Sequence, residues 1–336
     1  MKTKRLERLE EKRKMQNKKP RYEEPNIKGL DNMGNTCYLN TAIQCLLFCP
    51  SFRQEVLNYT QVDKTLTPLC YQLRDVYHKL WIEKKSVTPK GLIYVIARSP
   101  IGKLIHVNYP NDLHEFLGLF TDALIEENKT VKNDNIIKPL LEKVLQGTQE
   151  SSITCSHCGY RSVNKEIFSS LMLSFDGKTP FPLKHTEKNQ KTCPLELDDL
   201  LQSAFRDETI EGRTCDNCLQ KRDETRKLRL RNPPQVLTLM IKRYDYSGRR
   251  INNMLDIPYD LKLSETYFSN LHKKDKTVKY KICSIACHFG SLHNGHYYSL
   301  VFYDNKWYMI DDETVNKIDT LSPSSDYYVL FYQKMN

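Results

Sequence analysis

The chain has 336 residues and a formal net charge of +10, with 39% hydrophobic and 10% aromatic residues spread along most of its length. That length suits one elaborated domain or two ordinary ones, and that apolar content supports a packed core, which excludes a disordered chain. No run of about 18 apolar residues occurs, so no helix is expected to span a membrane.

The charge is uneven. Residues 1–21 hold ten Lys or Arg and three Glu, a local charge of +7 that leaves +3 for the remainder. A solvated, partly helical arm is the simplest reading and an import signal the next. With so little charge beyond it, nucleic acid is not an expected partner. The same segment lacks the apolar stretch of a secretory signal, so a reducing compartment, cytoplasm or nucleus, is expected. Pro20 and Pro25 close it, which predicts a flexible or helical tail over 1–25 and a folded unit over 26–334. In a reducing compartment the eleven cysteines should not form a disulfide framework, and their odd number does not suit complete pairing. Each is then a core thiol, a metal ligand or a nucleophile.

The first element follows "GLDNMGNTCYLN" (29–40). Leu39, Ile43, Leu46 and Leu47 recur at helical spacing from Tyr38 to Phe48, and Pro50 is expected to close the segment. Cys45 and Cys49 suit buried helical thiols. Cys37 does not: it opens the helix, where backbone N–H groups and the helix dipole favour a thiolate. Gly29 and Gly34 are expected to let the chain turn tightly in front of it, and the Asn32 amide could donate to a developing oxyanion. Further helices are predicted over Leu69–Leu80 and over Leu113–Leu124, the latter opened by "PND" (110–112).

The character then changes to strands, at 170–175, 235–244, 280–287, 297–303, 306–310 and 327–332, with a polar, breaker-rich surface loop at 176–192. Helices first and strands later argue for an α+β fold. Two C-x-x-C pairs, "CSHC" (155–158) and "CDNC" (215–218), offer the four thiolates of a tetrahedral zinc site, Cys155, Cys158, Cys215 and Cys218. Gly159 after the first pair suits a knuckle turn, while Leu219 after the second does not. Four ligands leave no open position, so the metal is expected to be structural.

A thiolate nucleophile needs a base. His296 stands out among nine histidines by its context, "NGHYYSLVFYDNKWYMIDDE", where Gly295 should leave room beside the ring. Asp304-Asn305 is a two-residue hairpin signal, so Tyr303 should face Lys306 and Asp311 should face Tyr298. That places Asp311 on the face of His296 as a diagonal neighbour, about 7–8 Å away at the backbone. Asp312 falls on the opposite side as a supporting residue, and a three-residue turn would reverse the parity. A helix-borne Cys, then a sheet-borne His, then an acid is the chain order of papain-like enzymes, by analogy.

Together these residues resemble the ubiquitin-specific protease family of papain-like deubiquitinases. "GLDNMGNTCYLNTAIQCL" is similar to its cysteine box, "NDLHEFL" (111–117) to its second box, and "NPPQVLTLMIKRYD" (232–245) to its K-R strand. "HFGSLHNGHYYSLV", "WYMIDDETV" and the closing "YYVLFY" are similar to its histidine box. Asn111 and Leu113 depart from the usual Gln and Ala, and Leu39 stands where Met is common. The resemblance implies a hand-like papain fold: a helical thumb (26–145), then a β-rich palm and fingers (146–334), the fingers tipped by a zinc ribbon with four cysteine ligands. It implies Cys37 as nucleophile, His296 as base, Asp311 as third member, Asn32 as oxyanion donor and Asp312 as supporting acid. A blocking loop would run from His288 to Gly295, with His288, Gly295 and Tyr297 lining the channel for the substrate's tail. One structural zinc and no catalytic cofactor are implied. Partners would be ubiquitin or ubiquitinated proteins, and an activating protein where the triad needs alignment. The rivals are a protease for another ubiquitin-like modifier, a ubiquitin-binding scaffold and a zinc-ribbon nucleic-acid binder; the last leaves the cysteine and histidine boxes unexplained.

Overall fold

The computed structural model describes residues 27–58, 64–130, 141–175, 193–269, 277–291 and 294–335. The expected basic tail and the expected loop at 176–192 lie outside the described residues. The helices come first: α1 (Cys37–Leu47), α2 (Pro50–Asn58), α3 (Pro68–Tyr77), α4 (Lys90–Arg98), α5 (Ile101–Leu104), α6 (Leu113–Thr130) and α7 (Leu141–Leu145). Pro50 does not simply end the first helix. It begins α2, because proline's fixed φ and missing N–H fit a helix's first turn. One π turn, His78–Ile82, extends α3.

Strands follow: β1 (Gly147–Cys155), β2 (Arg161–Phe168), β3 (Leu171–Ser174), β4 (Leu195–Glu196), then the helix α8 (Leu197–Ala204), β5 (Glu208–Thr214), β6 (Lys221–Asn232) and β7 (Val236–Lys242). The chain ends through β8 (Leu255–Asp256), β9 (Asp260–Ser264), β10 (Thr277–Gly290), β11 (Gly295–Tyr303), β12 (Lys306–Asp311), β13 (Thr314–Ile318) and β14 (Tyr327–Lys334). They form a large sheet in the order β13-β12-β11-β10-β14-β7-β3, with β9 also on β10, and a separate four-stranded sheet, β2-β1-β6-β5. Strands of the smaller sheet escape the alternation rule. β2 is largely exposed and β6 reads "KRDETRKLRLRN", held by ion pairs such as Arg231–Glu150 and Arg213–Glu224 instead of an apolar face.

The large sheet is buried on both faces. Val329 and Phe331 of β14 pack with the helices, among Leu39, Ile43, Phe116 and Phe120. Leu330 and Tyr332 pack on the opposite side with Leu197, Leu201, Leu237 and Tyr280. Such strands read as continuous apolar runs, as "YYVLFY" does. Helix α1 is buried from Tyr38 to Leu47 and lies against β11, β10, β12 and α6. Two of its buried polar residues fasten the segment before it. Asn40 donates to the carbonyls of Leu30 and Asp31, at 3.3 and 3.2 Å, and Gln44 to that of Lys28 at 3.0 Å.

Gly29 is required by close approach: a Cβ there would lie 2.2 Å from the Asp312 carbonyl oxygen. Gly118, within α6, has open space where its Cβ would stand. Gly29→Ala should therefore cost about 2 kcal/mol by overpacking, whereas Gly118→Ala should stabilise by about 0.5–1 kcal/mol through helix propensity. Thermal unfolding of both variants checks these opposite signs; an unchanged Tm for Gly29→Ala would contradict the close approach.

Candidate active site

The turn before α1 is built around Asn32. Its side-chain oxygen accepts the N–H of Gly34 (2.9 Å), the N–H of Thr36 (3.2 Å) and the Thr36 hydroxyl (3.1 Å). Thr36 Oγ1 in turn accepts the Met33 N–H at 2.9 Å. Gly34 and Asn35 follow one another in the left-handed region, at φ +88° and +56°. Gly34 thus supplies the turn expected of it, while Gly29 serves the close approach to Asp312 instead.

Cys37 opens α1 and is partly accessible. Burial pushes its thiol above the ordinary value, and the Asp312 carboxylate adds to this. The N–H groups of Tyr297, Tyr38 and Cys37 itself donate toward the sulfur and oppose the rise. The expected helix-end stabilisation of the thiolate is therefore present but outweighed by desolvation. Cys45 and Cys49 are wholly buried, and burial pushes both thiols up, as suits core residues.

His296 and Asp311 meet as the hairpin register predicts. Tyr303 pairs with Lys306, and Asp304 and Asn305 both have positive φ, the two-residue turn expected. His296 Nε2 lies 2.5 Å from Asp311 Oδ1, which leaves Nδ1 for proton exchange. Among the described residues no hydrogen bond joins Cys37 to His296 itself. Catalytic hydrogen bonds often tighten only in the complex. Asp312 does not bond His296. Its two oxygens accept the side-chain amides of Asn32 and Asn40, each at 2.8 Å. One Asn32 N–H is thus engaged, and the amide carries a second.

The proposed channel residues fall differently from expectation. His288 is part of β10, which runs to Gly290, so it precedes the connection instead of opening a loop. Residues 292 and 293 lie outside the described residues. His288 is buried, hydrogen-bonded to the Tyr244 hydroxyl at 3.0 Å, and held down at about 4 chiefly by burial. The room left by Gly295 is for this ring: a Cβ there would lie 2.1 Å from His288 Nε2. Tyr297 packs against His288 with the rings tilted at 33° and their centroids 4.4 Å apart, and its hydroxyl lies 3.4 Å from Asp112 Oδ2. Asn40 and Asp112 escaped the sequence reading because their contribution depends on contacts made by the fold, across as many as 272 positions for Asn40 and Asp312.

The four cysteines of the C-x-x-C pairs do converge. Their sulfurs lie within 4.8 Å of one another, although 56 residues separate the pairs, because β1 pairs with β6 beside both hairpin ends. The two turns match: the Gly159 N–H donates to the Cys155 carbonyl at 3.1 Å and the Leu219 N–H to the Cys215 carbonyl at 3.0 Å. Gly159 (φ +69°) and Leu219 (φ +58°) adopt the same left-handed conformation. The second pair therefore makes the knuckle without the helpful glycine. The Tyr160 N–H, aided by the Asn217 amide, holds the Cys158 thiol below its ordinary value. Four convergent sulfur donors fit a tetrahedral zinc ion.

Residues 28–332 match the family model described as ubiquitin carboxyl-terminal hydrolase. The chain is 26% identical over 333 residues to ubiquitin carboxyl-terminal hydrolase 4 of Arabidopsis thaliana, covering 87% of this chain and 85% of that protein. It is likewise 26% identical over 350 residues to ubiquitin carboxyl-terminal hydrolase 12 of Salmo salar, covering 91% and 89%. Its fold is similar to that of a SAGA DUB module structure with Ubp8, Sgf11, Sus1 and Sgf73 bound to monoubiquitin. The TM-score is 0.76 at 22% identity, over 93% of this chain and 70% of that one. The same module bound to ubiquitin aldehyde gives a TM-score of 0.75.

The left-handed Leu219 is 76% exposed and is held at a cost that glycine would avoid. Leu219→Gly should stabilise by about 0.5–1 kcal/mol net, and Gly159→Ala should destabilise by about 1 kcal/mol. Thermal unfolding of the zinc-loaded protein reads both; equal signs would contradict the matched turns.

Proposed function

The chain belongs to the ubiquitin carboxyl-terminal hydrolase family, and on that premise we propose that it is a deubiquitinating thiol protease, cutting after the C-terminal glycine of ubiquitin. The observation that carries this reading is the His296–Asp311 contact on β11–β12, set against a helix that opens with Cys37 and is bonded to Asp312 through Asn40.

The chemistry follows from the roles. His296 Nδ1 takes the Cys37 proton as the sulfur attacks the glycine carbonyl carbon, and Asp311 on Nε2 stabilises the imidazolium. The raised thiol makes this proton transfer part of the attack. The oxyanion is met by the free N–H of Asn32 and the backbone N–H of Cys37. Collapse breaks the C–N bond, and the imidazolium gives its proton to the leaving lysine amine. Water, deprotonated by His296, then opens the thioester, releasing the carboxylate and restoring the thiol. Asp312 acts here through Asn32, by holding its amide.

Cys155, Cys158, Cys215 and Cys218 would hold one zinc ion, which would supply a cross-link between the β1–β2 and β5–β6 hairpins; the catalytic residues are on α1, the turn before it and β11–β12. Free thiols at both places suit a reducing compartment, and the proposal includes cytoplasm or nucleus. A ubiquitin-like modifier other than ubiquitin would use the same catalytic groups, and parallel assays with such conjugates separate the two.

Cys37→Ala should abolish cleavage of a lysine-linked ubiquitin conjugate while retaining ubiquitin binding; residual turnover would contradict the assignment. Asn32→Ala should lower kcat about 10²-fold. Asp312→Ala should do the same, with the double variant little worse than either alone, because one acts through the other; full additivity would separate their roles. Elemental analysis should find one zinc per chain, and Cys158→Ser should lose it with a lower Tm; zinc retained by that variant would contradict the four-sulfur site.

A further inference from the structure

Asp311 on β12 holds the His296 imidazole by one atom, Nε2, at 2.5 Å. A bond to one atom leaves the ring free to swing about it, because the outer torsion of a histidine side chain has broad minima. Nδ1, the atom left for proton exchange, lies across the ring from that bond. Its direction is therefore set by whatever else touches the imidazole, whose side chain is 30% exposed.

The strand on the other side supplies such a contact. Phe289 of β10 pairs with His296 of β11, and directly opposed residues of an antiparallel pair project to the same face. Their rings meet edge-on, with centroids 5.6 Å apart and planes at 61°. Among the described residues this is the one aromatic ring against the imidazole. Behind it stands Tyr298, two residues beyond His296 on the same face, its centroid 6.3 Å from that of Phe289. Strand β11 lies between β12 and β10, so the imidazole has a carboxylate from one neighbour and a phenyl ring from the other.

The phenyl ring is firmly mounted. The residue before it is held at both backbone groups: the His288 N–H donates to the Asp326 carbonyl at 2.8 Å, and the Arg250 guanidinium donates to the His288 carbonyl at 2.7 Å. Arg250 also donates to Asp326 Oδ1 at 2.8 Å, and the Tyr298 hydroxyl donates to Oδ2 at 3.3 Å. Gly295 lets the two strands close up, since a Cβ there would lie 2.7 Å from the Phe289 carbonyl oxygen. Yet Phe289 is 48% exposed and lies outside the core on either face of the sheet, so core packing does not account for it. We propose that Phe289 is a positioning residue for His296, the wall opposite Asp311 that fixes the orientation of the imidazole. The inference rests on the reading of His296 as the base. Acting through the ring, Phe289 affects the chemical step and not the affinity for substrate.

The test is steady-state cleavage of a lysine-linked ubiquitin conjugate by the zinc-loaded full chain, with kcat and KM separated. Phe289→Ala should lower kcat about 3–10-fold, the strength of an aromatic pair, with KM within about twofold of wild type. Phe289→Tyr keeps the ring and should hold kcat within about twofold. Phe289→Leu keeps apolar bulk without the ring; its kcat should fall with KM unmoved, and it decides the matter if Phe289→Ala fails to fold. An unchanged kcat in Phe289→Ala, a raised KM with kcat intact, or Phe289→Tyr as slow as Phe289→Ala would overturn the proposal. His296→Ala, assayed alongside, separates the two readings. If it keeps wild-type turnover, the base assignment falls and the inference with it. If it abolishes turnover while Phe289→Ala is unaffected, the positioning role alone falls.

Discussion

Asp312 accepts the amides of Asn32 and Asn40 on its two oxygens, and its carbonyl accepts the Leu30 N–H at 3.0 Å, so three distant segments meet at one residue. The loop before the nucleophile, the helix bearing it and the turn after β12 are thereby set in one geometry. The arrangement has local costs. Asp312 sits in the left-handed region at φ +49°, its carboxyl is pushed up by burial, and Asn40 Oδ1 is buried without a partner among the described residues. Residues that break local rules while the surroundings satisfy theirs are characteristic of functional sites. Asp311, next in the chain, is free to serve His296 because Asp312 is committed elsewhere.

The site lies where the helical layer meets the large sheet. Helix α1 contributes the sulfur from the core of the first layer, and β11–β12 contribute imidazole and carboxylate from the second. Rigid elements on both sides limit the freedom of the reacting groups, as an acyl-transfer site requires. The smaller sheet is separate in hydrogen bonding, has little apolar core of its own, and brings four cysteine sulfurs together at its tip. Small apolar cores commonly need such a staple. A metal ion held there would be a matter of stability, while the chemistry belongs where α1 meets the large sheet.

Much of this was legible in the sequence, for stated reasons. The helix of Cys37 showed in its apolar spacing, and the two-residue turn at Asp304-Asn305 set the register that brings Asp311 to His296. The strands of β7, β10, β11, β12 and β14 showed because they are buried and apolar. Strands β1, β2, β5 and β6 did not, since cross-strand ion pairs stand where an apolar face would show. The mutual distance of the two C-x-x-C pairs followed from strand pairing and could not be read from the gap. Asn40, Asp112 and the true neighbour of Gly295 were illegible for one reason: each is defined by a contact that only the tertiary fold creates. The thiol's raised position was misjudged because helix-end donors were counted without the burial that opposes them.

Every other assignment depends on Cys37 being a nucleophile directed at the ubiquitin C-terminus. The most direct measurement is the intact mass of the full chain after incubation with ubiquitin carrying a C-terminal electrophile, beside Cys37→Ala. The account predicts a one-to-one covalent adduct that maps to Cys37 and is lost in the variant. An adduct that persists in Cys37→Ala, or no adduct from folded, zinc-loaded protein, would contradict it.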